Sequence, residues 1–590
     1  MGDLKDLNIR PGLYTIDTDR GSKGRWKDGQ WVRFFLGMPE KMGGYAKIGS
    51  TTFVGICRAL IDWVSLIQSR IIGVGTNKKL YAWTSNVYTD ITPLETSGTL
   101  GLNPITTTNG STSVNIQDTA HARLVGDYVT FGGATAVGGI TVDGEYTVTT
   151  VVDADNYTIT HSAAATSGAT GGGAAVTYAY QIHIGSADSV AGLGWGAGTY
   201  GTSTYGTARS TSSFLNLARI WSLANWGEDL IACPRELGIY LWDRSVGGRA
   251  AAISGAPSTA RAIFVTDENR TLVALGAHDG SADDPMLIRW CDEEDYSTWT
   301  ADEDNTAGEK RLDAGSELYC RVPGRNENVI FSDTFAWSMR FIGPPYTFGF
   351  DEIGRNGGLR GPNAATSLQG IVYWMGKGQF YFYDGRIKVL PCEVLNRVFD
   401  SFNESQRAKV FAGVNVKFGE VWWLYPSADA TECDRFVIYN ANEGHWVFGN
   451  LARTAMIGDS KTFTLPYMAG TDGYLYDHET GTDGDTLAIA SYIESADVEV
   501  DDGSVMLLIR KLVPDFERIA GSLAVTMRAK KYPHATASVT KSVGTITPTK
   551  AFLNPRIKGR QVSIRLDTTS TGDDWRMGKL RIDAKPYGKR

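Results

Sequence analysis

At 590 residues the chain is too long for one hydrophobic core, which stops growing at ~250–300 residues, so several domains are expected. Hydrophobic residues make up 42% and charged residues 21%, ordinary for a folded protein, while 68 Gly and 11% aromatics suit many short strands joined by tight turns. A formal net charge of −8 argues against a general attraction to nucleic acid, and no apolar run approaches the ~18 residues that could span a bilayer.

Residues 1–50 form an N-terminal arm containing "GSKGRWKDGQWVRFFLGMPEKMGGYAKIGS". A targeting segment is excluded because charges and glycines break every apolar run and the chain opens MGDLKDLN. Two readings remain for Trp26, Trp31, Phe34 and Tyr45 among their Lys and Arg neighbours. They could stack on nucleic-acid bases, or they could pack as strands against the chain's own body or a neighbouring subunit. Packing is preferred, because buried aromatics dominate core and interface energetics. Trp26, Trp31, Arg33, Phe34 and Tyr45 are therefore the candidate assembly contacts.

From residue 51 a unit recurs: an apolar strand, a Gly or polar turn, then an aromatic-rich strand. It reads "IIGVGTNKKLYAWTSN", "DLIACPRELGIYLWDRS", "PMLIRWCDEEDYSTW", "VIFSDTFAWSMRFIG", "GIVYWMGKGQFYFYDGRI", "EVWWLYPSADATECDRFVIYNANEGHWVFG" and "LPYMAGTDGYLYDHETG". The aromatic strands at Tyr240, Ile288, Trp337, Tyr381, Val437 and Tyr474 recur at roughly 40–50 residues, the scale of propeller blades. The fold class expected is all-β: a six- or seven-bladed β-propeller occupying 51–101 and 215–481. The rhythm fails once, where residues 102–185 are rich in Thr, Val, Gly and Ala with period-two alternation such as "GEYTVTTVV". This is expected to be a small β-barrel inserted at a loop. A Gly/Tyr-rich connector, 186–214, follows it. Residues 482–590 alternate strongly, end in a basic tail and predict a C-terminal β-sandwich.

Chemistry is sparse. "GAGTYG" at 196–201 matches GxGxxG but belongs to a Gly/Tyr repeat with no helix after it, and no GxxxxGK[ST] occurs. Six cysteines are too far apart for a zinc knuckle and are expected to be reduced, and seven histidines are scattered without HExxH. The acidic run "CDEEDYSTWTADEDNTAGEK" fits neither a calcium loop nor the turns of a sialidase propeller, and charge runs are usually solvated loops. No catalytic, cofactor-binding or metal-binding residue is assigned, no cofactor is expected, and an enzyme is not expected.

Several phrases resemble the tail nozzle family of short-tailed bacteriophages, also called tail tubular protein B or packaged-DNA-stabilisation proteins. They are "GRWKDGQWVRFFLGMPEKMGGY", "VGTNKKLYAW", "RIWSLANWGEDLIACPRELGIYLWD", "IRWCDEEDYSTWTADEDNTAG", "VYWMGKGQFYFYDG", "EVWWLYPS" and "DWRMGKLRID". The insert, with "VGDYVTFGGATAVGGITVDGEYTVT", resembles a small barrel spliced into phage structural proteins. Related barrels are labelled as a catalytic-cysteine half-domain of ubiquitin-activating enzymes, but this copy has no cysteine, so that chemistry is not implied. The resemblance implies a structural virion protein, made in the host cytoplasm and located in the tail. It implies a homohexameric ring under the portal and adaptor that retains packaged DNA and passes it during ejection. A DNA passage must not grip phosphates, so its wall is expected to carry more carboxylates than Lys and Arg. Deleting residues 1–46 is expected to impair ring assembly or docking yet leave soluble monomer. The alternatives are a receptor- or glycan-binding tail protein and a propeller glycosidase acting on host polysaccharide.

Overall fold

The computed structural model describes residues 4–190, 217–344, 346–355, 357–499, 505–532, 534–535 and 539–588. The expected connector falls mostly outside the described residues, and "GAGTYG" falls entirely outside them. The protein is nearly all β, with one short α-helix, Leu395–Phe399, among the described residues. The six cysteines are unpaired. No helix among the described residues is long and apolar enough to cross a membrane.

Seven four-stranded antiparallel sheets carry most of the body. Six are simple meanders, beginning at Cys57–Val64, Trp221–Trp226, Ala262–Val265, Leu318–Pro323, Ala365–Leu368 and Phe411–Asn415. The seventh uses Arg453–Ile457, Tyr467–Gly470 and Leu475–His478, and takes its fourth strand, Tyr45–Lys47, from the N-terminal arm. The first strand of each sheet contacts the first strand of the next, and Arg453–Ile457 returns to contact Cys57–Val64. Strands between two such sheets are covered on both faces. Leu272–Leu275 and Glu420–Tyr425 are accordingly buried at every position, and they read as continuous runs instead of alternating ones.

Polar side chains tie neighbouring sheets. Trp221 Nε1 donates to the Thr76 carbonyl (2.7 Å), joining the second sheet to the first, and Trp423 Nε1 donates to the Ala364 carbonyl (3.1 Å), joining the sixth to the fifth. Between the seventh and first sheets, buried Asp62 accepts through Oδ2 from Ser460 Oγ (2.7 Å), Lys461 N (2.8 Å), Thr462 N (2.9 Å) and Thr462 Oγ1 (3.0 Å).

The insert is an eight-stranded sheet coiled into a half-barrel around Val114, Ile116, Val129, Phe131, Tyr157 and Ile159, a core that contains no residue of the seven sheets. It begins at Leu94–Thr99, which pairs with Thr177–Gln181, so its first strand precedes the expected boundary at 102. All six residues of that strand are exposed, which is why no apolar alternation announced it.

The C-terminal region builds three sheets and none is complete without the arm. Leu4–Asp6 pairs with Arg581–Pro586, and Arg25–Gln30 pairs with Ser491–Ser495. Val32–Phe35 pairs with Met38–Lys41, which meets Asp574–Met577 through Glu40 and Arg576. The resulting core runs unbroken from Ile493, Leu566 and Trp575 through Trp26 and Trp31 to Trp422, Trp423 and Trp446 of the sixth sheet.

Candidate functional site

All five candidate residues of the arm lie in this junction. Trp26, Trp31, Arg33 and Phe34 are buried, with Arg33 only 1% exposed, and Tyr45 is half-buried. Trp31 adopts a left-handed backbone (φ 56°), packs edge-on against Tyr45 (5.8 Å) and Phe436 (6.0 Å), and donates through Nε1 to the Gly43 carbonyl (3.2 Å). Phe34 sits edge-on to His445 (5.4 Å), and Tyr45 stacks on His478 (5.3 Å) with the Arg453 guanidinium over its ring. Of the two placements left open by the sequence, these side chains occupy the chain's own body. The four buried ones have no free face for a neighbouring subunit. Removing residues 1–46 therefore strips strands from four sheets, and a soluble folded monomer is not the outcome this geometry predicts.

Arg33 is the hinge pin of the junction. Its Nε lies 2.8 Å from Glu420 Oε1 and its Nη1 2.7 Å from Glu479 Oε2, so one guanidinium joins the sixth sheet to the end of the seventh. Burial opposes its charge, but the two carboxylates outweigh burial and hold its pKa above the ordinary value. Burial also pushes Glu420 above the usual carboxylate range, against the pull of Arg33. Trp422 Nε1 (3.1 Å) and the Arg33 face stacked on Phe418 (3.6 Å) complete the packing. Its partners were not legible, because Glu420 and Glu479 lie some four hundred residues away in sequence.

A second polar concentration lies where the first strands of the sheets begin. A half-open cleft of about 690 Å³ is lined by His183, Arg219, Arg235, Arg261, Glu317 and Arg407, among others. Glu236 bridges Arg219 (2.6 Å) and Arg261 (3.2 Å), while Glu317 takes Arg235 Nη2 (2.9 Å) and also pairs with Arg261. Arg235 is 3% exposed, and its Nη1 has no hydrogen-bond partner. Burial depresses the Arg235 pKa, with Glu317 opposing. Arg407 makes no ion pair among the described residues. Beside the cleft, Lys409 reaches Glu432 (2.8 Å) and Asp188, and Arg58 reaches Glu432 (2.6 Å), so the ends of the first and sixth sheets are laced together. The chemical capacity of the cleft is to hold an oxyanion. Sequence reading missed it, although a register signal exists: a charged residue recurs at or just before the first strand of six of the seven sheets, as in Arg58, Arg219, Arg261, Glu317, Lys409 and Arg453.

Among the described residues, no group of three His, Cys, Asp or Glu is arranged to hold a metal ion. No protein-family model matches the chain, and no curated protein matches it. Among solved structures, the computationally designed Ika8 protein aligns over 74% of this chain and 100% of its own, at 11% identity and a TM-score of 0.32. A likeness at that level carries no conclusion about function.

Proposed function

We propose that the chain is a structural protein of the tail nozzle type, whose seven sheets are the blades of one β-propeller. Copies join into a ring, a hexamer in the resembled family, around a passage for duplex DNA. The observation that supports the reading best is the cycle of contacts between first strands, with Tyr45–Lys47 supplying the missing strand of the seventh sheet. Radial repetition of this kind leaves few open sheet edges. Fastening the beginning of the chain into its last sheet suits a rigid building block. The phrases that carry the family resemblance fall on these sheets and on the arm, except "DWRMGKLRID", which falls on the C-terminal strands that pair with the arm. The protein acts through shape and assembly, without catalysis, in the virion tail beside the adaptor and portal.

Negative-stain microscopy of the purified chain tests this. Rings with a central hole are expected, and elongated trimers or monomers at every concentration would overturn it. A second reading has its own support, the unpartnered guanidinium nitrogen of Arg235 in the cleft. On that reading the cleft takes an anionic group of a receptor or glycan. Calorimetric titration with glucuronate is then expected to show saturable binding that weakens in Arg407→Ala. Absence of binding to the wild-type chain removes this second reading.

A further inference from the structure

Charge is distributed very unevenly along the chain. The third sheet, Ala262 to Arg311, carries 13 Asp and Glu against 4 Lys and Arg, whereas residues 505–590 carry 18 Lys and Arg against 6 Asp and Glu. Antiparallel topology sends the turn between the first and second strands of the third sheet to the same end as the turn between its third and fourth strands. Asp267 and Glu268 thus share an end with the loop from Asp292 to Asp304, and Glu294 N bonds the Arg270 carbonyl across that end. Glu268, Glu293, Glu303 and Asp304 are exposed and make no ion pair among the described residues. Hydrogen bonds from Ser297 and Thr298 hold Asp295 below the usual carboxylate range.

The opposite charge gathers on the outer face of the sheet formed by Leu4–Asp6, Arg581–Pro586, Leu507–Val513 and Ile557–Gly559. A shallow groove of about 620 Å³ there is lined by Arg510, Lys511, Arg556 and Lys558, with Asp583 as its only carboxylate. Lys511 Nζ lies 3.8 Å over Phe552 and Lys558 Nζ lies 3.8 Å over Tyr587, so both ammonium groups are held against exposed rings. The module bearing this face shares its core with the fifth and sixth sheets, and the third sheet contributes nothing to that core. The two charged faces thus belong to parts of the chain with different cores.

We propose that neighbouring copies dock head to tail, the acidic end of the third sheet of one copy against the basic C-terminal face of the next. The inference rests on the ring-forming reading and names the contact that builds the ring. A heterologous contact between two different faces is the kind that closes into rings. Complementary charge would set its partner and register, with strong salt sensitivity. It also reserves the basic face for protein, leaving the DNA passage free of it.

The test is sedimentation velocity at low and high salt on the full chain and two charge-reversed variants. One carries Lys511→Glu, Arg556→Glu and Lys558→Glu, the other Glu268→Lys, Glu293→Lys and Glu303→Lys. The wild type is expected to assemble at about 50 mM salt and to fall apart near about 500 mM. Each variant alone is expected to weaken assembly about tenfold or more. An equimolar mixture of the two should assemble again, because every contact in an alternating ring is then complementary. That rescue also shows that both variants are folded. If both variants assemble like the wild type, this contact is wrong and the ring reading stands. A wild type that never assembles removes both. Unaltered assembly combined with lost binding of a labelled DNA duplex by the basic-face variant would also overturn the proposal, and would give that face to nucleic acid.

Discussion

The arm and the insert are both extra to the seven sheets, yet they are attached in opposite ways. The arm contributes strands to four sheets and places Trp26, Trp31 and Phe34 in the largest core of the molecule. The insert keeps its own core and meets the body at Glu145, which pairs with Lys79 (2.5 Å), a residue that also holds Asp90 of the first sheet (2.9 Å). Composition follows attachment. A segment that must satisfy several partners at once carries aromatics and paired charges, whereas one that satisfies itself can be built from Thr, Val and Gly. The arm is thus part of the fold, and the insert is a passenger on it.

Removing residues 4–41 is the strongest challenge to this contrast. Loss of soluble full-length protein is expected, and recovery of a cooperatively melting truncated chain would break the comparison. Arg33→Met is expected to cost about 3–5 kcal/mol in denaturant unfolding, since it leaves Glu420 and Glu479 buried without their cation. Ile159→Ala, in the core of the insert, is expected to cost about 2–5 kcal/mol, but only in a separate calorimetric transition. If that loss also lowers the main transition, the insert is no passenger. Asp62→Ala leaves its buried donors on 460–462 unpaired and should cost about 1–3 kcal/mol of the main transition alone.

The smallest expected effect is on pH. Burial, helped by Arg453, holds His478 well below the ordinary histidine value of 6.5, so it is neutral in the folded protein. A base with a depressed pKa favours the fold above its unfolded value and loses that contribution as pH falls. The main transition should therefore drop in temperature below pH ~6.5, and His478→Gln should flatten this dependence. An unchanged pH profile in that variant would remove the role of His478.

Much of the β architecture was legible because it repeats. Tyr240, Ile288, Trp337, Tyr381 and Val437 mark the same position, the third strand, in successive sheets, so the spacing tracked a real structural period. The composition of the insert set it apart, but its first strand was hidden because an exposed strand such as Leu94–Thr99 has no apolar face to betray it. The arm's aromatics announced burial without saying where. That depended on pairings such as Leu4 with Asp583 and Trp26 with Ser495, which no local pattern encodes. The ionic junction at Arg33 was illegible for the same reason, and at the cleft the charges near the first strands were visible but not that the fold gathers them, since Arg235 and Glu317 come from different sheets.

The strand at Tyr45–Lys47 has a consequence for biosynthesis. It is synthesised more than four hundred residues before its partner Leu475–His478. At ~5–20 residues per second, that is a delay of roughly 20–80 s. For that period Trp26, Trp31 and Phe34 have no native surface to cover them, and a nascent chain interrupted before residue 475 can never bury them fully. Synthesis of this protein is thus a race between translation and aggregation, and slowing elongation should cost yield in proportion.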